Sequence, residues 1–132
     1  MAKNRRQRNM IEVRDYDKRP VKVKLVPVRG KDLKSTISGE ELKDQGRAGN
    51  CSNYHTFGSH SIVEALFAQQ DKIPKGWRGY TIIALGSAGC KGKNGVSSDR
   101  CLLWHNNQWV LGNICLTGKF ATKNIRFLAV VH

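Results

Sequence analysis

Residues 100–116, RCLLWHNNQWVLGNICL, decide the fold of this chain. The stretch has the pattern of a β-hairpin with a two-residue turn at Asn106-Asn107, because asparagine tolerates positive φ better than most residues. That turn sets three opposed pairs on the two faces of the hairpin: Trp104 with Trp109, Leu102 with Leu111, and Leu103 with Val110. Since both faces are largely apolar, we expect the hairpin in the middle of a sheet that is covered on both sides.

Other stretches also have strand patterns. Residues 19–29, RPVKVKLVPVR, place valine and leucine on one face and Lys22 and Lys24 on the other. Pro27 cannot donate a ladder hydrogen bond, so this strand is at an edge or ends near the proline. The short apolar runs YTIIAL at 80–85 and IRFLAVV at 125–131 predict two buried strands.

Helices are indicated by two pairs of residues with the capping-box spacing. Ser38 with Glu41 predicts a short helix over about 39–45, and Ser61 with Glu64 predicts the principal helix over 61–70. The glycine-rich stretches 46–60 and 86–100 are expected to be surface loops.

These elements predict an α+β fold, in which one main helix packs on an antiparallel sheet of about four to five strands. The length of 132 residues fits one domain. We expect a flexible basic arm over residues 1–12, which has few apolar side chains to bury, and a single α+β domain over residues 13–132.

The charge of the chain predicts a polyanionic partner. Lys and Arg number 23 against 10 Asp and Glu, a net charge of +13; residues 1–35 contribute +8 and residues 36–132 contribute +5. We therefore predict a small nucleic-acid-binding protein, for RNA or DNA, that acts through phosphate contacts and has no active site or cofactor. The candidate contact residues are Arg5, Arg6, Arg8, Lys22, Lys24, Lys75, Trp77, Arg78, Lys91 and Lys93.

The segment Lys75–Tyr80, KGWRGY, interleaves basic and aromatic residues. If Trp77 is exposed, its ring stacks on unpaired bases while the neighbouring cations contact phosphates. If Trp77 is buried, it seals the junction between the helix and the next strand.

A different class of function is a small metal-independent, toxin-like ribonuclease. His55 and His60 would act as its general acid and base. Separately, Cys90, which is flanked by glycine and lysine, is a weaker candidate for a cysteine nucleophile that would need a nearby histidine as base. A third possibility is a phage- or virus-encoded inhibitor or a virion protein that binds an acidic protein partner through its positive charge. The oligomeric state stays open.

Two further expectations follow from the apolar residues and the cysteines. No apolar run approaches transmembrane length, and the basic N-terminus is not followed by an apolar core, so we expect a cytoplasmic or virion-associated protein that is not secreted and does not enter a membrane. Two Cys-x-x-x-His pairs, Cys51 with His55 and Cys101 with His105, provide four possible zinc ligands. However, two residues four apart on a strand lie about 13 Å apart, so we favour structural cysteines and predict no metal site.

Overall fold

The computed structural model describes residues 10–27, 36–47, 50–52, 55–84, 98–115 and 118–131. In chain order the strands and helices are β1 (Met10–Arg14), β2 (Pro20–Val26), β3 (Thr36–Ser38), α1 (Gly39–Arg47), β4 (Asn50–Ser52), β5 (His55–Phe57), α2 (His60–Ala68), β6 (Thr81–Ile83), β7 (Ser98–His105), β8 (Gln108–Cys115), β9 (Lys119–Ala121) and β10 (Ile125–Val131). Short 3₁₀ turns lie at Gln70–Lys72, Lys75–Trp77 and Thr122–Asn124.

The main sheet follows the strand order β1-β2-β10-β6-β7-β8. One edge of β10 pairs with β2, and the other is shared: its first three residues pair with β6 in parallel, and residues 129–131 pair with β5 in antiparallel. Strand β4 extends this branch by pairing with β5, while β3 and β9 form a separate small sheet. The central strand is therefore β10, which has three neighbours.

Helix α2 lies inside the curve of this sheet. It contacts β7 and β8 at one end of the strand order and β1 at the other end. A flat sheet would hold these strands too far apart for one nine-residue helix to reach, so the sheet curls around α2 into a half-barrel.

Each face of the curled sheet has its own apolar core. The concave core, around α2, contains Val13, Val23, Val63, Leu66, Ile73, Trp77, Ile82, Ala84, Leu102, Trp109 and Leu128. The convex core lies under α1 and the small sheet and contains Ile37, Leu42, Phe57, Ile83, Cys101, Ile125 and Phe127. Because alternate residues of one strand enter different cores, the central strands are apolar on both faces.

The predicted α+β class was wrong. The molecule is mostly sheet, and the main sheet has more strands than the four to five expected and includes one parallel pair. The two helices among the described residues are equally long, nine residues each, so there is no single main helix. Strands β4 and β5 lie in the stretch 46–60, which was expected to be a loop. They were not predicted because a strand of three residues is too short to show an alternating pattern.

The hairpin β7–β8 has the predicted turn and register. Asn106 and Asn107 have φ of 50° and 62°, and Trp104 lies opposite Trp109. The expectation that the whole hairpin lies in the middle of the sheet was wrong, because β8 ends the strand order.

The basic strand β2 ends at Val26, directly before Pro27, as the proline requires. It is not an edge strand, since it lies between β1 and β10. The last three residues of the expected arm, 10–12, belong to β1, while residues 1–9 lie outside the described part of the chain.

The helix starts differ in how well they were predicted. Ser38 is confirmed as the cap of α1: its Oγ accepts a hydrogen bond from the Glu41 N–H at 3.2 Å. Helix α2 begins at His60 after Ser59, not after Ser61 as predicted. Ser61 Oγ instead lies 2.9 Å from Ser59 Oγ.

Gln69 ties the end of β1 to the end of α2. The Arg14 N–H donates to Gln69 Oε1 at 2.9 Å, and Gln69 Nε2 donates to the Arg14 carbonyl at 2.8 Å. The same Nε2 also donates to the Ala65 carbonyl, at 3.2 Å. This one side chain fixes β1 against α2 at the rim of the half-barrel.

Candidate nucleic-acid interface

The segment between α2 and β6 is anchored by Trp77. Two 3₁₀ turns flank Pro74, and Trp77 is 4% exposed within the concave core. Its ring is therefore not available to stack on a base, and it seals the junction of helix and strand. With Trp77 held inside, the next residue, Arg78, is exposed, and Tyr80 lies directly before β6.

Arg78 stacks on the hairpin. Its guanidinium carbon lies 3.8 Å from the ring centroid of Trp104. Trp104 is itself held by Trp109, with ring centroids 5.5 Å apart and an interplanar angle of 74°. The predicted pairing of the two tryptophans thus creates a platform that holds an arginine at the surface.

A second arginine stacks on Tyr80. The guanidinium carbon of Arg126 lies 4.2 Å from the centroid of the tyrosine ring. Its Nη1 donates to the carbonyls of Ile125 at 2.7 Å and Thr122 at 3.3 Å. Among the described residues, Nε and Nη2 of Arg126 have no hydrogen-bond partner, so one edge of a firmly held guanidinium stays available.

The two stacks lie on the same face of the sheet, on either side of β6. Arg126 on β10 is opposite Ile82 of β6, and Ile82 is opposite Leu102 of β7, two residues before Trp104. Strands β10 and β7 are thus two spacings apart, about 10 Å. We call Lys75, Arg78, Tyr80, Trp104 and Arg126 the stacked-arginine surface.

This surface has an unbalanced positive charge. Among the described residues, no carboxylate lies within 4 Å of the side-chain nitrogens of Lys75, Arg78 or Arg126. Arg100 differs, because its Nε lies 3.1 Å from Glu64 Oε1. The sequence shows the same division: residues 72–132 carry nine Lys and Arg against one acidic residue, whereas residues 36–71 carry two against five.

Beside Arg126 there is a concavity of about 220 Å³. Its walls are formed by Leu25, Pro74, Gly76, Trp77, Tyr80 and Arg126. Its lining combines polar and apolar surface, and the arginine provides the charged group at this site.

The structure does not bring all the predicted contact residues together. Lys22 and Lys24 lie on the convex face, opposite Glu12 and Met10 of β1, and so on the other side of the sheet from the stacked arginines. Lys75 and Arg78 are exposed and belong to the stacked-arginine surface. The other predicted contact residues lie outside the described residues: Arg5, Arg6, Arg8, Lys91 and Lys93. The candidate nucleophile Cys90 also lies outside them.

Sequence reasoning missed Trp104 and Arg126 as site residues. Trp104 was assigned to the core from its opposition to Trp109, yet it is only partly buried. Arg126 had a signal, since it is the one charged residue in the apolar run IRFLAVV. A charged side chain there must either pair or reach the surface.

The histidine and cysteine candidates are not assembled into a site among the described side chains. His60 is half-buried at the start of α2, while His55 lies on β5 with its side chain outside the described set. Cys101 is buried in the convex core, where burial raises the pKa of its thiol, and His105 is exposed at the end of the same strand. No group of three or more possible metal ligands occurs among the described residues.

No protein family, curated protein or solved structure matches this chain. Within the described ranges, neither helix is long and apolar enough to cross a bilayer. The argument for function therefore depends on the geometry of the stacked-arginine surface.

Proposed function

We propose that this protein binds single-stranded nucleic acid through the stacked-arginine surface. The observation that carries the proposal is the pair of arginines, Arg78 and Arg126, each held flat on an aromatic ring and neither near a carboxylate among the described residues. Binding is by phosphate contacts supplemented by stacking, without a catalytic step.

Stacking on an aromatic ring prepares a guanidinium for a phosphate. The ring fixes the plane of the group, so less conformational entropy is lost when the N–H edge meets two phosphate oxygens. Arg126 is fixed further by its two backbone carbonyl contacts. Lys75, on the same segment as Arg78, adds a third cation that contacts phosphate as a point charge.

The aromatic rings favour a single strand over a duplex. Unpaired bases can stack on an aromatic side chain or on a guanidinium plane, whereas paired bases are already stacked on each other. Trp104 and Tyr80 are partly exposed beside their arginines. An acidic protein would be attracted by the same positive charge, but its carboxylates would not stack on the aromatic rings as unpaired bases do.

Fluorescence anisotropy with labelled RNA and DNA of twelve nucleotides, each as a single strand and as a duplex, tests the proposal. We expect single strands to bind more tightly, with an affinity that falls at least about tenfold between about 50 and 200 mM salt. Affinity that is independent of salt, or a preference for duplexes, contradicts the proposal. A gel of the RNA after incubation also tests the ribonuclease alternative, which requires cleavage.

Arg19 offers a control for net charge. Arg19 is exposed in the turn between β1 and β2, directly before β2 begins. Leu25, which lines the concavity, lies near the other end of β2, so Arg19 is distant from the proposed surface. We expect Arg78→Ala to weaken binding by about tenfold, as the loss of a charge-assisted contact requires, and Arg19→Ala by less than about twofold. Equal effects would mean that only total charge matters and that the surface is not the binding site.

A further inference from the structure

The concavity beside Arg126 has the size and lining of a site for one flat ring. Its volume of about 220 Å³ lies below the roughly 300–1,000 Å³ of pockets for drug-sized ligands. Leu25, Pro74 and Tyr80 contribute apolar side chains to a lining that is also polar in part, while Gly76 leaves one side without a side chain. A single nucleobase has the matching shape: flat, apolar on its faces and polar at its edges.

Arg126 is the charged residue that lines this concavity. Because Nη1 is occupied by two carbonyls, the available donors are on Nε and Nη2. These two groups lie side by side on a planar guanidinium and donate in parallel to two neighbouring acceptors. A ring held by both groups must therefore have two adjacent acceptors on one edge.

Guanine has that edge, with O6 and N7 both accepting. Adenine has a donor at N6 beside N7 and would direct it at the guanidinium. An unpaired cytosine also has two adjacent acceptors, N3 and O2, but the arginine contact to guanine O6 and N7 is the commonest specific base contact. A strand with one central cytosine must therefore bind more weakly than the strand with one central guanine. We propose that the concavity binds one guanine of the bound strand, with Arg126 contacting O6 and N7. At a guanine, Arg126 then contacts the base in place of a phosphate, while Arg78 and Lys75 keep their phosphate contacts. This proposal rests on the proposed function and adds base preference to it.

The preference is measured with RNA of twelve nucleotides, either all uridine or with one central guanine. We expect the guanine to increase affinity by at least about fivefold, the lower limit for a bidentate arginine contact. Replacing it by 7-deazaguanine, which lacks the N7 acceptor, or by adenine should return the affinity to within about twofold of oligouridine.

Two glycines provide a matched pair of variants. A Cβ at Gly76 or at Gly79 would meet no atom within 4 Å, so both positions accept a side chain, but of the two only Gly76 lines the concavity. Gly76→Leu should abolish the guanine preference and leave oligouridine binding within about twofold, while Gly79→Leu should keep both. Arg126→Lys keeps the charge and loses the parallel donors, so it should also abolish the preference.

The outcomes separate this inference from the proposed function. If oligouridine and the guanine-containing strand bind equally, the guanine site is refuted while single-strand binding stands. If neither strand binds at low salt, both proposals fail. Free GMP, compared with UMP as a competitor, distinguishes a base within a strand from a mononucleotide: weak, selective competition by GMP supports the proposal, and GMP binding as tight as that of the strand overturns it.

Discussion

Two pairs of cations on opposite faces of the same sheet differ in how they are held. Arg78 and Arg126 lie on aromatic rings on the concave side, at 3.8 and 4.2 Å from the ring centroids. Lys22 and Lys24 extend from the convex face of β2, where Glu12 lies opposite the first of them. The two pairs contribute equally to the net charge.

The two pairs differ in conformational freedom and not in charge. A lysine that projects from a strand without a ring to stack on keeps many rotamers, and ordering its side chain costs up to about 2 kcal/mol in conformational entropy. A guanidinium fixed on a ring has lost much of that freedom before any ligand arrives. The lysines also have a sufficient structural role, because charged side chains on an outer strand face keep the protein soluble.

The largest effect should separate these two pairs directly. We expect Arg78→Ala with Arg126→Ala to weaken single-strand binding by about 100-fold, since two charge-assisted contacts of 1.5 kcal/mol or more are lost. Lys22→Ala with Lys24→Ala removes the same charge and should cost less than about threefold. Anisotropy titrations at matched salt compare the two double variants. Equal losses of affinity would mean that stacking on a ring gives the arginines no advantage over the lysines of β2.

A smaller effect should follow from removing one platform and leaving its arginine. Trp104→Ala takes the ring from under Arg78, and we expect a loss of about five- to tenfold in affinity, within the range of a cation–π contact. Leu103→Ala is the control, because it truncates a half-buried side chain on the other face of β7. Both variants should lose stability in thermal unfolding; if both also lose the same affinity, the platform has no specific role.

The smallest effect concerns the carboxylate opposite Lys22. Glu12→Gln removes the negative charge that lies opposite Lys22 across β1 and β2. Lys22 should then attract the single-stranded nucleic acid slightly more strongly. We expect an increase in affinity below about twofold that disappears in the double variant with Lys22→Ala. An increase that persists without Lys22 would show that Glu12 acts on the whole surface.

The parts of the fold that could be predicted were those fixed by local chemistry. The Asn106-Asn107 turn determined the register of β7 and β8, and Ser38 correctly marked the start of α1. The sheet topology could not be predicted, because the parallel pairing of β10 with β6 and the three-residue strands depend on contacts distant in sequence.

The candidate site was predicted only in part. The segment around Arg78 was identified by its basic and aromatic residues, but a pattern does not tell which tryptophan is buried: Trp77 is in the core and Trp104 forms the platform. Arg126 joins them only because β10 lies beside β6. Averaging charge over residues 36–132 also hid the nearly acid-free stretch that begins at Lys72.

The contact between Gln69 and Arg14 has a consequence for self-association. An exposed outer strand offers peptide groups on which another chain can add a strand, the first step of amyloid-like growth. At Arg14 both outward-facing peptide groups are already bonded to a side-chain amide that imitates a neighbouring backbone. Within the described part of β1, a visiting strand would find outward-facing peptide groups only at Met10 and Glu12, which is a short ladder.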